Sequence, residues 1–349
     1  MQALKYVITG VLLAAVGISF LISAFRDYDL SHAIGLMLQA DAGPLCAALG
    51  LSVLSILFCA GSFFFMLRSI GEKTNFVRAV NYACTYIFFG NVTPAALGSQ
   101  PMTVLAMRRD KADVTHAVIA SLLNTILYKL LLICMGIVVL CYAPEIVLGN
   151  TLLTILYFWG MFFNLMFITV CAMAIWAYGL LRRIGTAGIS LLARLRIIKR
   201  KEKWLFRFTH MMQRYREGAD YVRRHPSVAC KMLGCIFFQR IAAFSIAFFA
   251  VKSLAGGDAS FFALLAAQVA AALTVDSLPI PGGVGISESV TLQLYSGVFA
   301  EALVAPAMLL TRGIFFYFTT LFCGVVLLCF RIFRKKRKLP LSETLNSEQ

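Results

Sequence analysis

Charge is scarce in this 349-residue chain. Asp, Glu, Lys and Arg together supply 14% of the residues and apolar side chains 60%, with a mean hydropathy of +0.83. A soluble domain is about a quarter charged, so a water-solvated globule is excluded and the bilayer is the solvent. Histidine is limited to His32, His116, His210 and His225, scattered without ligand spacing, which argues against an imidazole metal site. Cysteine is present, but in no Cys-x-x-Cys or Cys/His spacing. Cys59, Cys134, Cys171, Cys235, Cys323 and Cys329 lie inside apolar runs and read as small buried hydrophobes. No nucleophile–base pair is recognisable, no nucleic-acid module accompanies the net charge of +16, and no cofactor is implied.

Long apolar runs are what the sequence has in quantity. Stretches long enough to cross a hydrocarbon core of about 30 Å occur at Tyr6–Phe25, Leu45–Leu67, Val114–Tyr142, Thr151–Leu181, Val228–Val251 and Val304–Phe330. The first is longer than the apolar region of a secretory signal and is expected to remain as an uncleaved helix. Two further apolar pieces, Phe76–Met107 and Phe261–Phe299, are each split by a Pro/Gly-rich turn, "NVTPAALGSQP" and "SLPIPGG", into arms too short to cross alone.

Basic residues gather at Lys5, in "RSIGEKTNFVR" and "RRDKAD", between Arg182 and Arg224, and in "RIFRKKRK"; the alternate loops carry Asp27, Asp29, Asp41, Glu145, Asp258 and Glu301. By the positive-inside rule both termini are expected in the cytoplasm. The two split pieces then become re-entrant hairpins from opposite faces. The expected fold is all-α and integral to the membrane, with about six transmembrane helices and two re-entrant helical hairpins in an inverted repeat, a recurrent transporter architecture. Residues 1–338 form one polytopic domain, with halves at about 1–142 and 151–330 and a tail at 339–349. Pro94 and Gly98 in "PAALG" share their spacing with Pro281 and Gly285 in "PGGVG". The competing arrangement, eight or more ordinary kinked spans, would place Arg108, Arg109 and Lys111 outside.

Broken backbone at membrane depth is tolerated against protein or a water-filled cavity, so a cavity is implied. Gly282, Gly283 and Gly285 would let the backbone approach a ligand, and the helix N-terminus from Ile286 would offer N–H groups to an anion such as a phosphate. Five ionisable residues, Lys129, Arg240, Asp276, Glu288 and Arg312, fall within the hydrophobic depth. Each costs roughly 2.5–3.5 kcal/mol at a helix centre facing lipid, so they are expected to face one another or water. Three cations against two carboxylates leave one positive charge, which suits an anionic headgroup. Asn91, Gln100, Asn124, Gln239 and Gln268 could add neutral hydrogen bonds. The plainer reading is that the charges are buried ion pairs fixing helix register, or that Arg312 snorkels. The segment 182–226, with Trp204, Phe208, Met211 and Tyr215 at helical spacing among arginines, reads either as a lipid-gathering surface or as a topology anchor.

These residues carry a family resemblance. "TPAALGSQP" followed by "RRDKA", together with "LPIPGGVGISES", resembles the paired signatures of the lysylphosphatidylglycerol synthase transmembrane-region family, also described as the flippase-like domain family. The resemblance implies a bacterial membrane protein whose domain translocates phosphatidylglycerol or its lysylated form, modifying surface charge and reducing the action of cationic antimicrobial peptides. Pro94, Gly98, Pro281, Gly282, Gly283, Gly285 and Glu288 match the pattern; Gln100 stands where the family usually has an acidic residue and Ser287 where a basic one is common. Full-length lysyltransferases of the family continue into a soluble acyltransferase-like domain, for which the 11 residues after Lys338 leave no room. Transport is therefore favoured over phosphatidylglycerol lysyltransferase activity and over ion-coupled transport of a small anion. The candidate substrate-binding residues are Pro94, Gly98, Gln100, Lys129, Arg240, Asp276, Pro281, Gly282, Gly283, Gly285, Glu288 and Arg312, with no catalytic or metal-binding role assigned. The expected partner is an anionic or aminoacylated phospholipid. A separate synthase chain, or a second copy of this one, is compatible with the sequence and leaves no trace in it.

Overall fold

A computed structural model describes residues 30–93, 96–176, 224–255, 259–276 and 283–336, with isolated positions between them. The described elements, in chain order, are α1 (Leu30–Leu38), α2 (Ala42–Ser69), α3 (Phe76–Val92), α4 (Ser99–Arg109), α5 (Val114–Tyr142), α6 (Pro144–Leu148), α7 (Thr151–Trp176), α8 (Pro226–Lys252), α9 (Phe261–Val275), α10 (Ile286–Ser296), α11 (Glu301–Arg312), a π-helical turn (Gly313–Phe318) and α12 (Thr319–Lys336). No strand occurs among the described residues, so the protein is all-α. Five helices are long and apolar enough to span a bilayer: Ala42–Ser69, Val114–Tyr142, Thr151–Met173, Pro226–Lys252 and Glu301–Ile332. They correspond to five of the six expected spans. The sixth, Tyr6–Phe25, lies outside the described residues, as do most of 182–226 and the tail 339–349.

Local chemistry sets the helix boundaries. Asp41, Asn75, Asp113 and Asn150 accept hydrogen bonds from backbone N–H groups of Gly43, Arg78, Thr115 and Leu152 at 2.8–3.0 Å, each satisfying a first-turn donor. Pro226 sits in the first turn of α8, where its missing N–H costs nothing. Arg68 closes α2, and Arg108 and Arg109 close α4, placing cations on negative helix ends. The expected last span bends its rule in one place: α11 passes into α12 through the π turn, which begins immediately after Arg312. α1 and α6 were not expected, because each is a short helix inside a segment that reads as a loop.

Both split pieces form pairs of packed helices, α3 with α4 and α9 with α10. In the first pair the two feet meet: Lys73 and Arg78 before and at the start of α3, and Arg109 and Lys111 at the end of α4 and after it, line one surface pocket. The chain therefore enters and leaves this pair at one end, and a single kinked span over residues 76–107, which needs Lys73 and Lys111 at opposite ends, is excluded. At the other end of α5, α9 packs against α6, so the two hairpins approach α5 from opposite directions.

Packing divides the same way. One buried cluster, including Ile56, Phe63, Tyr82, Met107, Ile119, Met232 and Cys323, surrounds the first hairpin. A second, including Leu132, Phe244, Leu264, Leu273, Tyr295, Val304 and Met308, surrounds the other. Small residues bring backbones together at the crossings, as glycines do between membrane helices: a Cβ on Gly160 of α7 would strike the Leu273 carbonyl of α9, and one on Gly61 of α2 would lie 3.2 Å from the Cys235 sulfur of α8.

Candidate functional site

The hairpin tips converge on adjacent turns of α5. Gln100, at the start of α4, donates to the Thr125 hydroxyl at 3.2 Å, and Asp276, at the end of α9, accepts from the Tyr128 hydroxyl at 2.7 Å. Between the tips lies a cavity of about 270 Å³, close to the lower bound of roughly 300 Å³ for small-molecule sites. Its wall includes Gln100, Lys129, Arg240, Asp276, Gly283 and Arg312 from the sequence-derived candidates, with Asn91, Gln239 and Gln268 beside them. Asn124 is elsewhere, bonded to the Ser62 hydroxyl inside the first core. Pro94, Pro281 and Gly282 lie outside the described residues.

Four of the five intramembrane charges are matched in pairs. Glu288 is 2% exposed, and its Oε1 accepts from Arg312 through Nε at 3.1 Å and Nη2 at 3.0 Å. Arg312 also lies over the Phe316 ring, 4.7 Å from its centroid. Lys129 Nζ stands 3.8 Å from Asp276 Oδ2 and donates to Asn164 Oδ1 at 2.6 Å. Such pairs offset the desolvation of each partner, and neither ion of a pair could remain there alone at low cost. The ion pairing anticipated by the plainer reading of the sequence is thus present at these four charges, and Arg312 is buried.

Arg240 differs. Its guanidinium sits 4.3 Å from the centre of the Tyr128 ring, among the described residues no carboxylate pairs with it, and its buried Nε has no hydrogen-bond partner. The single surplus charge expected from the sequence is therefore located on one side chain of the cavity wall. Ring attraction of this kind is worth about 0.5–2 kcal/mol, less than a buried cation needs, so the remaining donors are available to an anion.

Gly283 lines the cavity and also serves close packing of the helix arms. Gly283 and Gly285 have φ of +62° and +87°, and a Cβ on Gly283 would collide with Val275, so Gly283 allows the two arms of the second hairpin to touch. Gly98 packs on Thr93, whose hydroxyl accepts its N–H at 2.8 Å. At the N-terminus of α10, Glu288 Oε2 accepts the N–H of Gly285, the residue that precedes the helix, at 2.6 Å. Glu288, Gly98 and Gly285 are absent from the cavity wall. They shape the site from behind.

Two site residues escaped the sequence reading. Tyr128 bonds Asp276 and carries Arg240, and Asn164 holds Lys129. Asn164 had a legible signal, a lone amide in an apolar run; Tyr128 had none beyond its place next to Lys129. Among the described residues no group of three His, Cys, Asp or Glu side chains is arranged for a metal ion.

Comparison with known families agrees with this architecture. The family model described as "Lysylphosphatidylglycerol synthase TM region" matches residues 7–323. The chain belongs to that family. Within the lysylphosphatidylglycerol synthase transmembrane-region family, both hairpins and every charged residue of the cavity fall inside the matched region. A curated relative, the UPF0104 membrane protein PH1989 of Pyrococcus horikoshii, is 23% identical over 346 residues, covering 95% of this chain and 99% of its own length.

Proposed function

We propose that this family member is a bacterial lipid translocase, binding the anionic headgroup of phosphatidylglycerol or its lysylated form between the two hairpins and moving it across the cell membrane. The observation that carries the reading is the unpaired guanidinium of Arg240 on the cavity wall. A phosphodiester would accept its free N–H donors and remove an uncompensated buried charge. Around that contact, Gln239 and Gln268 supply neutral polar groups, and Asp276, whose side chain is 33% exposed, offers a carboxylate to a headgroup amine. Phe163, Phe167, Phe315 and Phe316 provide an apolar wall for the glycerol and upper acyl region. In this proposal both termini and residues 182–226 lie in the cytoplasm, where the basic loops meet anionic lipid. Delivery of a lysylated lipid to the outer leaflet would lower its negative charge and so weaken the binding of cationic peptides.

Purified protein in liposomes tests the proposal. Labelled phosphatidylglycerol and lysylphosphatidylglycerol should change leaflets with wild-type protein, and the rate should fall at least about ten-fold in Arg240→Gln, the scale of one lost charge-assisted hydrogen bond. Unchanged movement in that variant removes the assigned site. Static lipids with labelled lysine transferred from lysyl-tRNA would favour a lysyltransferase, the activity carried by the word synthase in the family description. Uptake of a small anion with static lipids would favour a soluble-substrate carrier.

A further inference from the structure

A second pocket lies at the feet of the first hairpin, at the opposite end of α3 and α4 from the cavity. It has a volume of about 480 Å³ and is lined by the turn between α2 and α3 and the turn between α4 and α5. Both turns are held in left-handed backbone, with φ +84° at Gly71 and +69° at Lys111. A side chain as large as lysine seldom adopts that conformation, and doing so here aims a flexible cation at the pocket from an otherwise unfavourable position.

The charges around it are unbalanced. Lys73, Arg78, Arg109 and Lys111 contribute four cations, Glu72 and Asp110 two carboxylates. Glu72 is engaged elsewhere: its Oε1 accepts the Asp113 N–H at 3.1 Å and contacts His116 Nδ1 at 2.6 Å. Asp110 Oδ2 accepts the Tyr82 hydroxyl at 2.9 Å, which fixes the floor of the pocket. Among the described residues, Lys73, Arg78 and Lys111 form no ion pair, and the one side-chain hydrogen bond among them runs from Arg78 Nη1 to the Lys73 carbonyl at 3.2 Å. Three cations without a carboxylate partner among the described residues, from the two feet of the hairpin, thus line one space.

We propose that this pocket is a binding site for a phosphate ester, whether the headgroup of an anionic lipid at the membrane surface or a soluble phosphorylated molecule. An oxyanion seated there would bridge Lys73 and Arg78 on one foot to Lys111 on the other, tying together the two ends of the hairpin. Nothing in this depends on lipid translocation, because the site is read by binding alone.

Two probes distinguish the sources. Pyrophosphate is titrated into the full-length protein in uncharged detergent, and the protein is separately placed in phosphatidylcholine nanodiscs with or without phosphatidylglycerol. The thermal midpoint should rise with at least one probe. The apparent Kd for that probe should weaken at least about ten-fold in Arg78→Gln/Lys111→Gln, each of which loses a charge-assisted contact. A response to pyrophosphate names a soluble phosphorylated molecule; one confined to phosphatidylglycerol names the lipid. Both substituted residues are exposed, so the unliganded midpoint should match wild type, and the single Lys111→Gln variant gives the same comparison should the double variant fold poorly. No rise with either probe, or an undiminished rise in the variants, overturns the proposal.

Discussion

Glu288 joins two parts of the site with one carboxylate, holding Arg312 through Oε1 and the turn at Gly285 through Oε2. Glu288→Gln removes the carboxylate that Arg312 holds through Nε and Nη2, and breaking a buried pair in this way costs about 3–5 kcal/mol. A large drop in thermal midpoint in detergent is the expected result. Arg312→Met combined with Glu288→Gln should cost clearly less than the two single changes together, since neither ion is then stranded. Additive losses would show that the pair does not act as a unit. Arg240 provides the contrast at the same scale. Among the described residues it is the intramembrane cation without a carboxylate, so Arg240→Met forfeits its ring contacts of about 0.5–2 kcal/mol while relieving an uncompensated charge. Its midpoint should stay near that of wild type even as lipid movement is lost, which separates a binding residue from a structural one.

The hairpins depend on close contact between their arms, and glycine placement tests this directly. Gly283→Ala adds a methyl where Val275 already stands and forces a non-glycine residue to φ +62°, so a loss of stability of about 1–3 kcal/mol is expected. Gly313→Ala, in the π turn, meets no atom within 4 Å and should be neutral or stabilising by up to about 1 kcal/mol, as alanine is the better helix former. Comparing the two midpoints by thermal unfolding checks both. The elements themselves were legible because bilayer solvation demands long apolar runs, and Pro/Gly clusters inside such runs signal broken helices. The packing role of Gly283 was not legible: a positive φ fits either a ligand or a neighbouring helix, and the contact with Val275 exists only in three dimensions. Which four of the five charges pair was equally hidden. Composition fixes the surplus at one cation, while the positions of Tyr128 and Asn164 determine that it resides on Arg240 and not on Lys129.

At the scale of the whole molecule, two buried cores flank one cavity, and the hairpins reach it from opposite ends of α5. Tyr128 packs against both cores and bonds the tip of the second hairpin, so movement of one half relative to the other would be felt at the site. A rocking motion of this kind is how inverted repeats give alternate access to a midplane site, and it requires that the two hairpins open to opposite faces of the membrane. Single cysteines at Lys111 and Glu145, in a background lacking the exposed native thiols at Cys46, Cys134, Cys141, Cys230 and Cys329, test this with a membrane-impermeant reagent on intact cells and on inverted vesicles. Because basic turns are retained on the inner face, Lys111→Cys should label only from the cytoplasmic side and Glu145→Cys only from outside. Adding Ser296→Cys, at the end of α10, should reproduce the Glu145 pattern, since the second hairpin then begins and ends on the outer face. Labelling of positions 111 and 296 from the same side would place both hairpins on one face, remove the geometric basis for alternating access, and leave the cavity reachable from a single leaflet.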